Sequence, residues 1–369
     1  MPAPLTTPTP PFGVYVHVPF CTRRCDYCAF ATWDDRGHLI PGYVDALERE
    51  SKALTDMPAA TSVFFGGGTP SLLDPEQLEA VLRTVRRAPD AEVTVECNPE
   101  TVTLDRLRGY RRAGVNRISL GVQSLSAPVL ASLGRRHEAD AVMPAVAAVR
   151  AAGFSTFNLD LIYGAAGESL DDWERTLDAA LVLEPPHVSA YALTVEPGTP
   201  LATASDRHPD PDLQADMYGR ADELLTGAGL QWYELSNWAR PGHECRHNLL
   251  YWDQGNYRGL GCAAHSHIDG RRWWNLRTPE RYIRAAKASD CVEAASETLD
   301  PDSRRFEMLS LALRTARGVP VETLSDLDDL VENGLVDVGS GRAVLTRRGR
   351  LLANEVAMHL VVASRRQGG

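Results

Sequence analysis

The chain has 369 residues, of which 44% are hydrophobic and 24% are charged, the composition of an ordinary globular protein. Its 38 Lys and Arg against 49 Asp and Glu give a formal net charge of -11, which disfavours a nucleic-acid partner bound through its phosphates. Seven cysteines, the lack of a signal-like N-terminus and the lack of an apolar run of about 18 residues predict a cytoplasmic protein with no transmembrane segment.

The first eleven residues are rich in proline and predict a disordered or polyproline leader. The alternating apolar run that follows predicts a strand that ends at Pro19, so that Cys21, Cys25 and Cys28 fall on a loop. A loop with this spacing can bring its three thiolates together around one small metal centre.

The residues around these cysteines narrow the choice of metal centre. A structural zinc site usually has four ligands in two paired motifs, but no second Cys-x-x-Cys pair follows in the sequence. Attachment of a c-type haem requires His where Ala29 stands. Three thiolates on a four-iron cluster would leave one iron open to chelate the amino and carboxylate groups of a small molecule. Three reduced thiols without a metal are the remaining alternative.

Six predicted strands, each followed by a helical pattern, occupy the chain up to residue 193. They are the run that ends at residue 19 and the segments 62–65, 92–96, 117–121, 156–162 and 187–193. Repeated strand–helix units predict a parallel sheet with helices outside, and six are too few for a closed eight-stranded barrel. We therefore expect an α/β fold, a partial (β/α)6 barrel, with its site at the carboxyl ends of the strands.

A glycine run, Gly66-Gly67-Gly68-Thr69-Pro70, directly follows the second predicted strand. Glycine allows close approach of the backbone to a ligand and costs nothing at positive φ. The alternative is a tight turn between a strand and a helix.

The second half of the chain is organised differently. A predicted helix at 210–227 leads to an aromatic-rich region that holds five of the seven tryptophans, Trp232, Trp238, Trp252, Trp273 and Trp274. Beyond residue 279 the pattern is mainly helical, and a helix, hairpin and helix near the end resemble a winged-helix unit. We expect this unit to pack against the barrel, with DNA binding as the alternative. The predicted parts are a leader at 1–11, a barrel at 12–235, an aromatic-rich extension at 236–280 and a C-terminal mostly helical, winged-helix-like domain at 281–369.

The cysteine spacing after a first strand, followed one unit later by the glycine run, resembles the radical S-adenosylmethionine (SAM) superfamily. In that superfamily the open iron holds SAM. Further segments resemble the oxygen-independent coproporphyrinogen III oxidase family, in the same order, over about residues 12–365. These segments are Tyr15–Cys21, Gly66–Ser71, Glu96–Pro99, Gly121–Ser124, Arg135 with His137, and Asn158–Gly164.

This resemblance implies roles for individual residues. Cys21, Cys25 and Cys28 would ligate a [4Fe-4S] cluster. The positions that match contacts to the cluster-bound SAM are Tyr15, Gly67 and Glu96. The positions that match contacts to a second SAM are Tyr27, Gly68, Thr69, Gln123, Arg135 and Asp160. Carboxylates can accept ribose hydroxyls and Arg135 can pair with a carboxylate; the alternatives are a helix-capping carboxylate and a solvated cation.

Two departures from the oxidase family narrow the expected function. The family places a further cysteine two residues after the third one, where this chain has Phe30. In addition, His247-Asn248-Leu-Leu-Tyr251-Trp252 resembles the motif of the HemW-like haem chaperone branch. Imidazole is a common haem ligand and aromatic rings suit a flat macrocycle, so His247 is the predicted haem ligand. Four other side chains are alternative ligands, Cys245, Cys262, His265 and His267; a structural histidine among core tryptophans is the other interpretation.

The resemblance therefore implies a haem chaperone of porphyrin metabolism that binds haem and transfers it to an acceptor protein. It would keep its [4Fe-4S] cluster and SAM without decarboxylating a porphyrinogen. The acceptor is unknown, and a membrane respiratory protein would fit the family. Two enzyme functions remain as alternatives, an oxygen-independent coproporphyrinogen III oxidase and a radical SAM methyltransferase.

Overall fold

The computed structural model describes residues 11–135 and 139–361. It confirms the six predicted parallel strands: β1 (Phe12–Val18), β2 (Ala60–Gly67), β3 (Arg87–Cys97), β4 (Arg117–Gln123), β5 (Thr156–Tyr163) and β6 (His187–Ala192). The helices of this half are α1 (Ile40–Lys52), α2 (Pro75–Thr84), α3 (Leu104–Ala113), α4 (Ala127–Ser132), α5 (Val142–Ala151) and α6 (Leu170–Val182). The predicted leader, apart from Pro11, and His137 lie outside the described residues.

The two faces of these strands differ in polarity. Val14 and Val16 of β1 are fully buried in one hydrophobic cluster together with apolar side chains of the surrounding helices. The opposite face carries polar side chains such as Ser62, Glu96 and Asn158. Because successive side chains of a strand point to opposite faces, the helices cover an apolar outer face and the concave inner face is left polar.

The strand order places the predicted site residues at one edge of the sheet. Strands β1 to β6 pair in parallel and in sequence order. The register sets Val18, at the end of β1, beside Gly67, at the end of β2. The cysteine loop that follows β1 and the glycine run that follows β2 therefore meet at the carboxyl edge.

The sheet extends beyond the six strands, which the sequence did not predict. The additional elements are α7 (Pro211–Gly227), β7 (Gln231–Glu234), β8 (Asn237–Ala239), α8 (Arg246–Trp252), β9 (Asn256–Leu260), β10 (His265–Ile268), β11 (Arg271–Asn275), α9 (Pro279–Ala288) and β12 (Glu293–Thr298). The full order is β12-β11-β10-β9-β1-β2-β3-β4-β5-β6-β8-β7. The predicted boundary at residue 235 falls between β7 and β8, which pair with each other, and the one at 280 falls inside α9.

The C-terminal part has its own hydrophobic cluster, which runs from Leu309 to Leu360. Its elements are α10 (Pro301–Leu313), β13 (Val319–Pro320), α11 (Leu327–Glu332), β14 (Val336–Gly339), β15 (Arg342–Leu345), α12 (Arg347–Leu351) and α13 (Ala353–Ala357). The predicted hairpin is β14–β15, and the predicted cap, Thr346, accepts a hydrogen bond from Gly349 N at 3.0 Å. Asp222 of α7 accepts from Arg347 Nε at 2.6 Å and from Arg350 Nη1 at 2.7 Å, which holds α12 against the barrel.

Among the described residues, no helix combines the length and the apolar character needed to cross a membrane.

Candidate functional site

A cavity of about 560 Å³ lies at the carboxyl ends of the parallel strands. Eleven of the predicted site residues line it: Cys21, Cys25, Tyr27, Cys28, Gly67, Gly68, Thr69, Glu96, Gln123, Arg135 and Asp160. Except for Arg135, which follows α4, these residues come from the loop after β1 and from the carboxyl-terminal parts of β2 to β5 or the residues just after them, so the parallel topology is what brings them together. Their roles toward a cofactor stay predictions.

The cysteine loop is fixed to the sheet by backbone hydrogen bonds. Cys21 N donates to Trp33 O at 3.0 Å, and Trp33 N donates to Pro19 O at 2.8 Å. The imidazole of His17 adds a third link, because its Nε2 lies 3.0 Å from Ala31 O. The start and the end of the loop are thus anchored to β1, and the three thiols lie between them.

The three thiols are free, partly buried and line the same cavity. Burial is the main reason why the pKa of Cys21 is raised to about 11, so a metal centre there would have to displace its proton. Within residues 11–135 and 139–361, no three or more His, Cys, Asp or Glu side chains are arranged around a single metal ion. A four-iron cluster has a different requirement, because each thiolate binds its own iron.

The glycine run Gly66–Gly68 has no side chains, and the cysteine loop fills the space that side chains would need there. A Cβ on Gly68 would lie 2.6 Å from Phe20 O, 2.9 Å from Val18 O and 3.0 Å from Cys21 Sγ. Gly67 has a φ of 111°, and a Cβ there would lie 2.5 Å from the His17 ring. Both glycines are therefore required for the loop to approach the sheet, whichever ligand binds there.

Two carboxylates line the cavity from β3 and β5, the strands on either side of β4. Glu96 Oε2 accepts from Gly67 N at 3.1 Å, and burial, with the nearby charge of Asp160, raises the pKa of Glu96 to about 8. Asp160 accepts from Ser119 Oγ at 2.8 Å and from Asn158 Nδ2 at 2.7 Å. Burial also raises the pKa of Asp160, although its hydrogen bonds oppose that shift. Because both pKa values are raised, each carboxyl group is favoured in its neutral form or paired with a ligand.

A cationic side chain, Arg135, also lines the cavity. Arg135 Nη1 donates to Asn98 Oδ1 at 3.2 Å, whereas its Nε is buried with no hydrogen-bond partner among the described residues. Burial raises the pKa of Tyr27, and the nearby guanidinium of Arg135 opposes part of that rise. An unpaired buried donor beside a cavity fits a polar ligand that carries an acceptor such as a carboxylate.

Gln123 and Tyr15 complete the predicted SAM set, in different ways. Gln123 is nearly buried and has a φ of 65°, the left-handed region in which non-glycine residues store strain, often at functional sites. Tyr15 does not line the cavity; its ring lies on the inner face of β1 beside Phe64, and its hydroxyl lies 3.1 Å from His17 Nδ1. Tyr15 is linked to the cysteine loop through His17, whose Nε2 lies 3.0 Å from Ala31 O.

Sequence reasoning missed several residues of the cavity. Asn98 binds both Arg135 and Thr69, the latter through an Nδ2–Oγ1 distance of 3.3 Å. Tyr191, at the end of β6, lines the cavity with 43% of its surface exposed. The sequence could have indicated Asn98 and Tyr191, because they lie at the carboxyl ends of the predicted strands β3 and β6. Phe30 also lines the cavity and is 64% exposed.

The predicted haem ligand lies at the opposite end of the barrel. His247 is in α8, a helix that packs against the amino-terminal halves of β1 and β2. Only 1% of the His247 surface is exposed. Its Nδ1 lies 2.9 Å from Ser62 Oγ, and its Nε2 lies 2.9 Å from Tyr251 Oη. Neither ring nitrogen is available to iron in this conformation. Haem ligation by His247 stays a prediction, and it requires that the imidazole gives up at least one of these contacts.

The four alternative ligands differ in accessibility. Cys245 and Cys262 are buried, and their thiols contact Glu92 and Tyr43. His267 is buried, with its Nδ1 2.9 Å from Gly255 O. His265 is exposed and stacks on Trp274, with 5.6 Å between the ring centroids. Of these four, only His265 presents its side chain to solvent.

Comparison with known proteins agrees with this architecture. Residues 15–180 match the family model described as the Radical SAM superfamily, which implies a [4Fe-4S] cluster and SAM. Heme chaperone HemW of Mycobacterium tuberculosis H37Rv is 43% identical, over 96% of this chain and 96% of that protein. Heme chaperone HemW of Escherichia coli K12 is 36% identical, over 94% of this chain and 97% of that protein.

The fold is that of a solved radical SAM enzyme. Coproporphyrinogen III oxidase (HemN) from Escherichia coli superimposes with a TM-score of 0.82, over 95% of this chain and 90% of that chain, at 24% identity. Because the HemW relatives align over nearly their whole length, the chain belongs to the HemW family of radical SAM proteins.

Proposed function

We propose that this protein is a haem chaperone, which binds haem and transfers it to an acceptor protein while it carries a [4Fe-4S] cluster and SAM. The observation that carries the proposal is the 43% identity to a heme chaperone over 96% of both chains. The acceptor is unidentified. A membrane respiratory acceptor and a cytoplasmic location both stay predictions.

We assign the cluster to Cys21, Cys25 and Cys28, which line one cavity and are anchored to β1 at both ends of their loop. When bound, the cluster supplies an iron that is open to the amino and carboxylate groups of SAM. The chain's own residues orient that ligand. Gly67 and Gly68 leave room for the loop, Glu96 presents a carboxylate, and Arg135 presents an unpaired Nε.

The second group of predicted SAM contacts surrounds the same cavity, which supports a polar ligand larger than one amino acid. Tyr27, Gln123, Arg135 and Asp160 all line it, and Gln123 lies beside Arg135, since both side chains approach Gly121. We propose that these residues hold the nucleoside part of a SAM molecule or a second SAM. Tyr15 would act indirectly, by orienting His17 beneath the cysteine loop.

The alternative function is an oxygen-independent coproporphyrinogen III oxidase. Phe30 is the specific argument against it, because a phenyl ring at the cavity has no thiol to exchange a proton or hydrogen atom with a substrate. The matched fold at 24% identity does not distinguish the two functions.

An anaerobic assay of the cluster-reconstituted protein separates these functions. The protein receives SAM, reductant and either coproporphyrinogen III or haem, and the decarboxylated product and the Soret band are followed together. We expect a haem spectrum and no decarboxylated product. Turnover to protoporphyrinogen would replace the chaperone proposal by the oxidase. A Cys21→Ala, Cys25→Ala, Cys28→Ala triple variant is the control without a cluster.

A further inference from the structure

A network of buried polar side chains crosses the inside of the barrel. It begins at Asp160, which lines the cavity at the carboxyl ends of the strands, and it ends at Asn248 of α8. Six side chains of β5 to β8 form the network between these two residues: Asn158, His187, Ser189, Tyr233, Glu234 and Asn237. None of the six is more than 8% exposed, so the network lies in the protein interior.

One route through the network is a chain of hydrogen bonds that all run in one direction. Asn248 Nδ2 donates to Tyr233 Oη at 3.4 Å, and Tyr233 Oη lies 2.8 Å from His187 Nε2. His187 Nδ1 bonds to Asn158 Oδ1, and Asn158 Nδ2 donates to Asp160 Oδ1 at 2.7 Å. Because an amide oxygen can only accept, His187 carries its proton on Nδ1 and accepts the Tyr233 hydroxyl at Nε2. Every donor in this route therefore points towards Asp160.

His187 can fill this position in the route only while it is neutral. It is 2% exposed, and burial, together with the nearby charges of Arg117 and His243, holds its pKa well below the ordinary value. The neutral imidazole donates from one nitrogen and accepts at the other, as the route requires. Hydrogen bonds in a chain polarise one another inside a protein, so this route favours the charged form of Asp160, whose pKa is raised by burial.

A second route leads from the same asparagine to α8. Asn158 Nδ2 also lies 2.8 Å from Ser189 Oγ, and this hydroxyl donates to Asn237 Oδ1 at 2.7 Å. Asn237 Nδ2 donates to Glu234 Oε1, which also accepts from Asn248 Nδ2 at 3.0 Å. Asn248 therefore belongs to both routes, and a shift of its side chain disturbs both of them at once.

Asn248 is the second residue of the His-Asn-x-x-Tyr-Trp motif, and its contacts differ from those of the histidine before it. His247 ties α8 to β2 through Ser62. Asn248 ties the same helix to β7 through Tyr233 and Glu234. The network thus connects the asparagine of this motif to the cavity at the other end of the barrel.

We propose that Asn248 is a positioning residue, which acts through Tyr233 and His187 to orient the carboxylate of Asp160 for the polar ligand of the cavity. Asp160 accepts hydrogen bonds, so it would bind a part of the ligand that carries hydroxyl or ammonium donors. The proposal rests on the proposed SAM site and adds the residues that support this site from α8. Coupling of this kind is reciprocal, so a ligand at Asp160 must also stabilise the packed position of α8.

Titration of SAM into the cluster-reconstituted protein measures how much the network contributes to binding. Asn248→Ala interrupts both routes and should weaken SAM binding at least about 5-fold, the lower end of the usual coupling between two sites. Tyr233→Phe interrupts one route and keeps the ring, so it should weaken binding less. Tyr257→Phe is the matched control and should bind like the wild type, because this hydroxyl forms no hydrogen bond with any of the described residues. The variants are compared at equal iron content.

Hydrogen–deuterium exchange of α8 gives a readout that a purely structural role would not change. Local opening of this helix breaks the Asn248 contacts, so SAM should slow exchange in wild-type α8 at least about 5-fold. Exchange in α9, which has no residue in the network, should respond less. In Asn248→Ala, exchange in α8 should be faster and should no longer respond to SAM. A network that only stabilises the fold would leave the response of this variant to SAM as in the wild type.

The outcomes separate this proposal from the proposed function, since none of these measurements requires haem. If the wild-type protein with a full cluster binds no SAM, the proposed SAM site fails and this proposal fails with it. If the wild type binds SAM, and Asn248→Ala binds it equally tightly with the same response of α8, only the role of the network is overturned. Where Asn248→Ala does not fold, Tyr233→Phe, which removes a single hydroxyl group, decides between these results.

Discussion

Nδ1 of His247 lies 2.9 Å from Ser62 Oγ, so the imidazole that the motif predicts as a haem ligand is a buried polar link between α8 and β2. The backbone of α8 is held as well, because Glu92 of β3 accepts from the N–H of Arg246 and of His247, each at 3.2 Å. Gly13 of β1 makes this packing possible, since a Cβ there would lie 2.5 Å from Leu250 Cδ2.

His247→Ala should therefore destabilise the protein without haem. The substitution deletes two buried hydrogen bonds and leaves a cavity, which together cost about 2–4 kcal/mol in the free energy of unfolding. Urea unfolding of the apo protein measures this loss, and His38→Ala, which removes an exposed imidazole, is a suitable control. An unchanged unfolding free energy would mean that α8 is not packed as described.

Gly68→Ala should prevent normal assembly of the cysteine loop. The new Cβ would meet two backbone oxygens, those of Phe20 and Val18, and backbone cannot move aside as cheaply as a flexible side chain. We expect the purified and reconstituted variant to lose most of its iron and acid-labile sulfide. Gly37→Ala is the matched control, because nothing lies within 4 Å of a Cβ at that position. Equal iron content in both variants would contradict the proposed packing of the loop.

Glu96 should give the apo protein a specific dependence of stability on pH. Its folded-state pKa is raised to about 8, mainly by burial, so between the ordinary carboxyl pKa and about 8 the folded state holds a proton that the unfolded state has lost. The free energy of unfolding must then fall as the pH rises through this window. Glu96→Gln cannot titrate, and its stability should fall less than that of the wild type between pH 5 and pH 8. Parallel curves for the two proteins would show that Glu96 is ionised in the fold.

Asp222→Asn should loosen the C-terminal part from the barrel. Asp222 is buried and accepts hydrogen bonds from Trp238, Arg347 and Arg350, so the loss of its charge leaves two guanidinium groups without their partner. Only the Arg350 contact is buried on both sides, since 49% of the Arg347 side chain is exposed, so the expected loss in the free energy of unfolding is about 3 kcal/mol, the lower end for a broken buried ion pair. Limited proteolysis should cut the variant earlier between the barrel and α10. Asp216→Asn, on an exposed face of the same helix, should behave like the wild type.

The first half of the fold could be predicted because its signals are local. Val14 and Val16 alternate with polar residues along β1, and each later strand is followed by an amphipathic helix or a capped helix start. The cavity followed from the topology, since parallel strands present their carboxyl ends at one edge. The residue roles came from the family resemblance and remain to be measured.

The extension of the sheet could not be predicted in the same way. Strand β12 is Glu293–Thr298, mostly exposed and without a large apolar side chain, and it exists because it pairs with β11. Strand β9 is stabilised by parallel pairing with β1, more than 240 positions earlier in the chain, as in Phe12 with Asn256. Such pairings leave no periodic pattern in the local sequence.

The sequence could not predict that His247 is buried and hydrogen-bonded. Its hydrogen-bond partner Ser62 lies 185 residues away, and no local spacing distinguishes a buried, paired histidine from an exposed ligand.

Anaerobic gel filtration of the cluster-reconstituted protein after incubation with haem tests most directly whether this protein carries haem. We expect haem absorbance to co-elute with the protein in a stoichiometric complex, and to remain when SAM is present. Elution of all haem apart from a folded, cluster-loaded protein would contradict the haem-chaperone function.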